Sequence, residues 1–250
     1  MVLDTGSNEE PRLRAEIAIC TRMMNAEGLL DYSGHVSVRL PGREAFLIQP
    51  FEQPRGEVSP DSLRIVNFHG TAEGDGEPPP AERFIHSEIY RARPDVESIA
   101  HVHPDIATLF SLVDGVELAP VKNHAARWAS GIPVHPNPAH INTLELGQAL
   151  AKTLAGCYAA LIRAHGAVLV AESVPAVFSD IVHFAENAEA FYRAAALGPV
   201  RPLTQAEMNS FLESFNRPRH VTKLWRYYLG RCVRSGAVSQ AWAEQAGNQR

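Results

Sequence analysis

The chain has 250 residues, a formal charge of −5 and 45% hydrophobic residues. That length gives room for a sizeable core, and the composition is that of a soluble globular protein rather than a disordered or membrane-bound one. The mildly acidic balance gives no electrostatic reason to expect nucleic acid as a partner.

Residues 1–10 are polar and are expected to be frayed, leaving a single domain over 11–250. From Glu9-Glu10-Pro11 the pattern predicts a helix to about Glu27, with Leu13, Ile17, Ala18, Met23 and Met24 along one side and Gly28 at its end. Residues 30–40 read as a loop entering a strand, 46–48 as a second strand and 63–68 as a third. A polar, proline-ended loop over 70–81 delivers the chain to Glu82. Residues 83–93 carry Phe84, Ile85, Ile89 and Tyr90 at helical spacing, and Arg93-Pro94-Asp95 supplies the stop. A strand over 99–103 follows, then a turn at Pro104-Asp105 and a helix over 106–112. The remainder reads as a short strand at 131–134, a helix over 143–154, two strand-like runs over 158–172, and a helix over 174–196. Helix closes the chain over 203–234, with a break at Pro218. Alternating strands and helices without a glycine-rich phosphate loop predict a three-layer α/β/α arrangement.

Cys20, Cys157 and Cys232 form neither a disulfide framework nor a CxxC zinc motif, so core filling in a reducing compartment is expected. No signal peptide, transmembrane run, lipidation motif or internal repeat is visible, and a cytoplasmic protein with no membrane partner is the expectation.

The chemistry centres on Ile99-Ala100-His101-Val102-His103. Alternate side chains of a strand share a face, so His101 and His103 point the same way, with Ala100 and Val102 facing the opposite layer. Two neutral imidazoles converging from one strand are a ready pair of metal ligands, although such a pair also occurs as ordinary surface or core histidine. His165 falls where two apolar runs meet at Ala164-His165-Gly166; there it either caps a hairpin or supplies a third ligand. Glu82 is either a first-turn carboxylate stabilising its helix or an acid/base.

Glu82 with His86, the pair His101 and His103, and the distant His165-Gly166, in this order, resemble the class II aldolase/adducin family over residues 11–200. L-fuculose-phosphate aldolase is its familiar member. The resemblance implies a mostly antiparallel central sheet, a divalent metal on His101, His103 and His165, and Glu82 as the catalytic acid/base. It also implies a homotetramer with sites at subunit interfaces. Three imidazoles admit manganese, zinc, iron or cobalt. Three protein ligands leave positions open for substrate, so the ion can act as a Lewis acid while a carbon–carbon bond breaks.

Substrate grip departs from the sugar-phosphate aldolases. Where those carry Gly-Asn-x-Ser, this chain has Ser33-Gly34-His35-Val36-Ser37. Their second turn is replaced by Gln49-Pro50-Phe51-Glu52, and their Ser-Ser pair by Pro80-Ala81. Proline lacks both an N–H and a hydroxyl, so the donors that would surround phosphate are missing. The Gly-His-x-Ser form and the closing segments 217–220 and 225–228 are similar to family members that decarboxylate hydroxylated aromatic dicarboxylates, of the 3-hydroxy-2-methylpyridine-4,5-dicarboxylate and 3,4-dihydroxyphthalate types. The expected activity is therefore a metal-dependent carboxy-lyase acting on an aromatic or pyridine dicarboxylate with a hydroxyl ortho to the lost carboxylate. The alternative is an aldolase acting on an aldol substrate.

On this reading His35 joins Glu82 in catalysis. Ser33, Gly34, Ser37 and His86 line the substrate, and Arg217 or Arg219 grips a second carboxylate bidentately unless both are solvated surface charges. Tyr227 is expected to reach a neighbouring subunit's site or to pack locally. His124, His135 and His140 read as loop histidines, and His69 and His183 as structural ones.

Overall fold

A computed structural model describes residues 9–247. Residues 1–8, most of the segment expected to be frayed, lie outside the described residues, and Glu9 and Glu10 already form the first turn of helix α1, Glu9–Ala26.

Seven strands form one sheet: β1 (His35–Arg39), β2 (Ala45–Ile48), β3 (Arg64–Asn67), β4 (Ser98–Val102), β5 (Val134–His135), β6 (Ala159–Ile162) and β7 (Gly166–Ala171). Their spatial order is β3-β2-β1-β4-β7-β6-β5. Every pairing is antiparallel except β5 with β6. Seven further helices follow α1: α2 (Arg83–Ala92), α3 (Asp105–Leu109), α4 (Leu144–Leu154), α5 (Val174–Ala195), α6 (Gln205–Ser214), α7 (Arg217–Arg234) and α8 (Gln240–Gln245).

The central strands are buried along their whole length, so both faces must be covered. Alternation divides their side chains. Val36, Val38, Ala100, Val102, Leu161 and Leu169 pack in one core with α1, α5 and α7. Phe46, Ile99, Ile162, Val168 and Val170 pack in the other with Ile85 and Ile89 of α2 and Leu150 and Leu154 of α4. The three-layer α/β/α arrangement follows, with the sheet between two helical layers.

Several boundaries differ from expectation for local reasons. Strand β4 stops at Val102, one residue before His103, because Pro104 follows and cannot donate to the ladder. The break in the C-terminal helix lies at Phe215-Asn216 rather than at Pro218. Asn216 caps α7 by accepting from the Arg219 amide at 3.0 Å, and Pro218 sits in the first turn, where a missing N–H costs nothing. Helix α8 and a 3-10 turn over Asn123–Trp128 were not anticipated. Cys20 and Cys232 are buried and Cys157 is half-buried; all three are free thiols. No helix among the described residues is long and apolar enough to cross a membrane.

Candidate active site

The site lies at one end of β1, β4 and β7, on the sheet face covered by α2. Register places His35 of β1 directly opposite His101 of β4, with ring centroids 5.1 Å apart. His101 Nδ1 lies 3.1 Å from the Ala167 carbonyl oxygen across the β4–β7 ladder. His103 Nδ1 lies 2.9 Å from Asp31 Oδ2. A carbonyl and a carboxylate can only accept, so both imidazoles carry their proton on Nδ1 and present a bare Nε2. Those two Nε2 atoms are 3.0 Å apart. Two lone pairs facing each other at that distance repel unless a cation or a proton lies between them.

His165 reaches the same point from the turn between β6 and β7. The turn requires a left-handed residue, supplied by Ala164 at φ 56°, whose amide donates to Ser111 Oγ at 3.0 Å. Gly166 must be glycine. A Cβ there would meet the Val102 carbonyl oxygen at 2.5 Å and His103 Cδ2 at 2.8 Å. The hairpin can therefore close on His103 only because that side chain is absent.

Glu82 immediately precedes α2 but makes no side-chain cap to its own helix, which removes the capping alternative. Its Oε1 instead accepts from the Ile141 amide at 2.9 Å, and its Oε2 lies 3.5 Å from His101 Nε2 and 3.6 Å from His165 Nε2. One atom from each of Glu82, His101, His103 and His165 falls within a sphere of contacts no longer than 4.8 Å. His165 Nδ1 is buried without a partner. Imidazole nitrogens and a carboxylate are a donor set suited to a divalent transition metal, and this group fits one.

The electrostatics favour an ionised carboxylate. Burial by itself raises the Glu82 carboxyl, but its contacts with His101 and His165 and the Ile141 amide outweigh it and hold it well below the usual carboxylate range. Asp31 is likewise lowered. Burial opposes this, and the Gly34 and Ser33 amides together with His103 prevail. Burial, then the neighbouring His101, lowers His103.

Behind His35 runs a buried polar chain. His35 Nδ1 is 2.6 Å from His86 Nε2, His86 Nδ1 is 2.6 Å from Ser37 Oγ, and Ser37 Oγ is 2.7 Å from the Tyr90 hydroxyl. Each link accepts either donor direction, so the chain has two proton orders that exchange the tautomer of His35. Burial, with His101 adding to it, pushes His86 down to about 3. Burial, followed by His86 and His101, also lowers His35 well below the ordinary histidine value.

The cleft over these groups has a volume of about 260 Å³ and is walled by Tyr32, Ser33, Phe51, Pro80, Ala81 and His140 beside the histidines. Of the residues expected to touch substrate, Ser33 lines this cleft, with Oγ 3.3 Å from His103 Nδ1. Ser37 and His86 do not. Both are fully buried and are spent on the chain behind His35. Gly34 does not either: its amide donates to Asp31 Oδ1 at 2.7 Å, and its carbonyl accepts from Gln49 and Arg55. Arg217 is a clear correction. Its guanidinium is consumed by Glu172 and Asp180 at 2.7 to 3.2 Å, and it lines a different cavity. Burying Asp180 requires such a partner, which the sequence pattern could not reveal. Arg219 and Tyr227 are exposed on α7 and line no part of the cleft of their own chain.

Sequence reasoning missed Asp31 and His140. Asp31-Tyr-Ser-Gly is an Asx-turn signal, since the Asp31 side chain accepts from the Ser33 and Gly34 amides. His140 stacks on His165 with centroids 5.6 Å apart and rings 8° from parallel, and no local pattern marks it.

The family described as class II aldolase and adducin N-terminal domain matches residues 15–192. The chain belongs to this family. Among its relatives, this class II aldolase-type chain is 26% identical to 3,4-dihydroxyphthalate decarboxylase of Arthrobacter keyseri, over 92% of the chain and 95% of that protein. It is 30% identical to the enzyme of the same name from Rhodococcus jostii, over 64% of the chain and 71% of that protein. An aldolase II superfamily protein from Pseudomonas syringae has the same fold, with a TM-score of 0.81 and 23% identity over 95% of this chain and 98% of that one. The class II aldolase fold expected from Glu82, the histidine pair and His165-Gly166 is thus the fold observed.

Proposed function

We propose that the chain is a divalent-metal-dependent carboxy-lyase acting on a hydroxylated aromatic or pyridine dicarboxylate, with the hydroxyl ortho to the carboxylate lost. One observation carries the choice over a sugar phosphate. Tyr32, Phe51, Pro80 and Ala81 wall the cleft beside the histidine cluster, and Pro80 and Ala81 offer it no side-chain hydrogen-bond donor. Such a wall suits a flat ring and offers little to a phosphate.

His101, His103 and His165 would hold the ion, with Glu82 Oε2 within reach of the same point. When bound, the ion supplies a Lewis acid for the electron pair released as the carboxylate–ring bond opens. The donor set fits manganese, zinc, iron or cobalt. Glu82, ionised at rest, takes the proton of the ring hydroxyl on Oε2 and returns it to the ring carbon that carried the carboxylate. Carbon dioxide leaves as that carbon gains its hydrogen. The reaction consumes one proton per turnover, which restores the hydroxyl. Solvent in the open cleft supplies it by way of His35, which His86, Ser37 and Tyr90 hold in place from behind.

The second carboxylate of such a substrate needs a cation, and none lines the cleft among the described residues. A homotetramer in which a neighbouring copy presents Arg219 and Tyr227 from α7 meets that need. Incubation of metal-replete protein with 3,4-dihydroxyphthalate and with 3-hydroxypyridine-4,5-dicarboxylate should release carbon dioxide. Aldehyde or pyruvate formed from an aldol substrate, with no carbon dioxide from any ortho-hydroxy aromatic acid, would instead establish an aldolase.

A further inference from the structure

A second group of three histidines lies outside this cleft. His124 comes from the 3-10 turn Asn123–Trp128, His183 from the middle of α5 and His220 from the second turn of α7. A ring nitrogen of each lies within 4.8 Å of the others. His183 Nε2 and His220 Nε2 are 2.9 Å apart. Ring centroids are separated by 4.4 Å between His124 and His183, and by 4.6 Å between His124 and His220. The buried Nδ1 atom of His124 has no hydrogen-bond partner, and that of His183 has the Glu186 carboxylate 3.5 Å away.

Neutral rings are the form that ligates metal. Three of the cations around them already have carboxylate partners. Arg127 and Arg217 pair with Glu172 and Asp180. Lys122 pairs with Glu186, whose carboxylate lies 3.5 Å from His183 Nδ1. A carboxylate behind one ligating imidazole is the arrangement that fixes its tautomer and orients it toward an ion. Phe211 and Phe215 flank His124, and the cavity beside the rings measures about 350 Å³. That cavity leaves room for a water or small anion as a further ligand.

We propose that His124, His183 and His220 form a second divalent-metal site, selective for nitrogen-preferring ions of the zinc, cobalt, nickel and copper class over magnesium and calcium. The ion ties α7 to α5 and to the 3-10 turn, and so fixes the C-terminal helices against the sheet-covering layer. The site is independent of the roles assigned to Glu82 and His35.

The test uses the full chain without an added histidine tag, stripped with a chelator and titrated with Co(II) or Zn(II) by calorimetry, with Co(II) visible absorption as a second signal. Wild-type protein should bind two equivalents. His101→Gln/His103→Gln protein should keep one, and zinc should still raise its melting temperature. His183→Gln/His220→Gln protein should also keep one, and the zinc-dependent rise should shrink. Calcium and magnesium should produce neither signal at this site. One equivalent in the wild type, abolished by the His101→Gln/His103→Gln change, would overturn the proposal. So would two equivalents in folded His183→Gln/His220→Gln protein. The wild-type stoichiometry decides the question even if a double variant fails to fold.

Discussion

Two groups of three imidazoles sit in one chain, and they are held in different ways. His101 and His103 are fixed by the β4 backbone, by the Ala167 carbonyl and by Asp31, while His165 is fixed by a turn that closes only over Gly166. His124, His183 and His220 project from two helices and a 3-10 turn, with His124 Nδ1 lacking a partner and the Glu186 carboxylate 3.5 Å from His183 Nδ1. In the first group, accepting oxygens behind His101 and His103 aim the lone pairs of those two rings. In the second, one ring, His183, has a carboxylate behind it, and convergence owes most to helix packing. Sheet and hydrogen bonds preorganise a site, whereas helices merely bring ligands together.

The strongest way to break this contrast is to empty the strand-anchored group. Replacing His101, His103 and His165 with alanine should abolish turnover, a loss of several kcal/mol in transition-state stabilisation, roughly a thousandfold or more. Full activity in metal-replete triple variant would end the account. Next, Glu82→Gln keeps the shape but removes the proton carrier, and should lower kcat by about 10² to 10⁴. Asp31→Asn tests preorganisation directly. It should weaken metal affinity of the strand-anchored group by about 10- to 100-fold while leaving the binding at His124, His183 and His220 unchanged.

Arg217→Ala separates a structural ion pair from a substrate clamp. It should cost about 2 kcal/mol of stability in denaturant unfolding, since Arg127 still offsets Asp180; a raised KM with unchanged stability would restore the clamp. The smallest effect is expected from Ser37→Ala. A lost buried hydrogen bond costs about 1 kcal/mol, and the pH profile of kcat should shift because His35 loses its tautomer relay.

Acid stability sharpens the same comparison. His86 is fully buried with its proton affinity pushed down to about 3 from an ordinary 6.5. The unfolded chain therefore binds a proton that the folded one refuses, so stability is complete above about 6.5 and falls as pH drops toward 3. Unfolding free energies measured between pH 7 and 5 should decline in wild type. A flat profile across that window would contradict the buried neutral His86.

Much of the fold was legible because periodicity reports burial directly. The alternation of Ile99 against Ala100 and Val102 assigned these residues to opposite cores, as observed. Helix starts expected near Glu9, Thr143 and Val174 lie within a residue of those observed, and the structure adds the caps, Thr143 and Ser173 accepting from the Leu146 and Ala176 amides. The convergence of Glu82, His101, His103 and His165 was expected through family resemblance, since residues this far apart in sequence share no local signal.

What the sequence determined by itself was therefore the identity of the elements and the side of each that faces inward, because strand and helix periods fix side-chain direction locally. Tertiary structure alone decided which buried polar groups meet. It turned Ser37 and His86 from substrate contacts into supports for His35, claimed Arg217 for Asp180, and drew His124, His183 and His220 together. A buried polar atom takes whichever partner the packing brings within about 3 Å, and that distance is not written in any local stretch of chain.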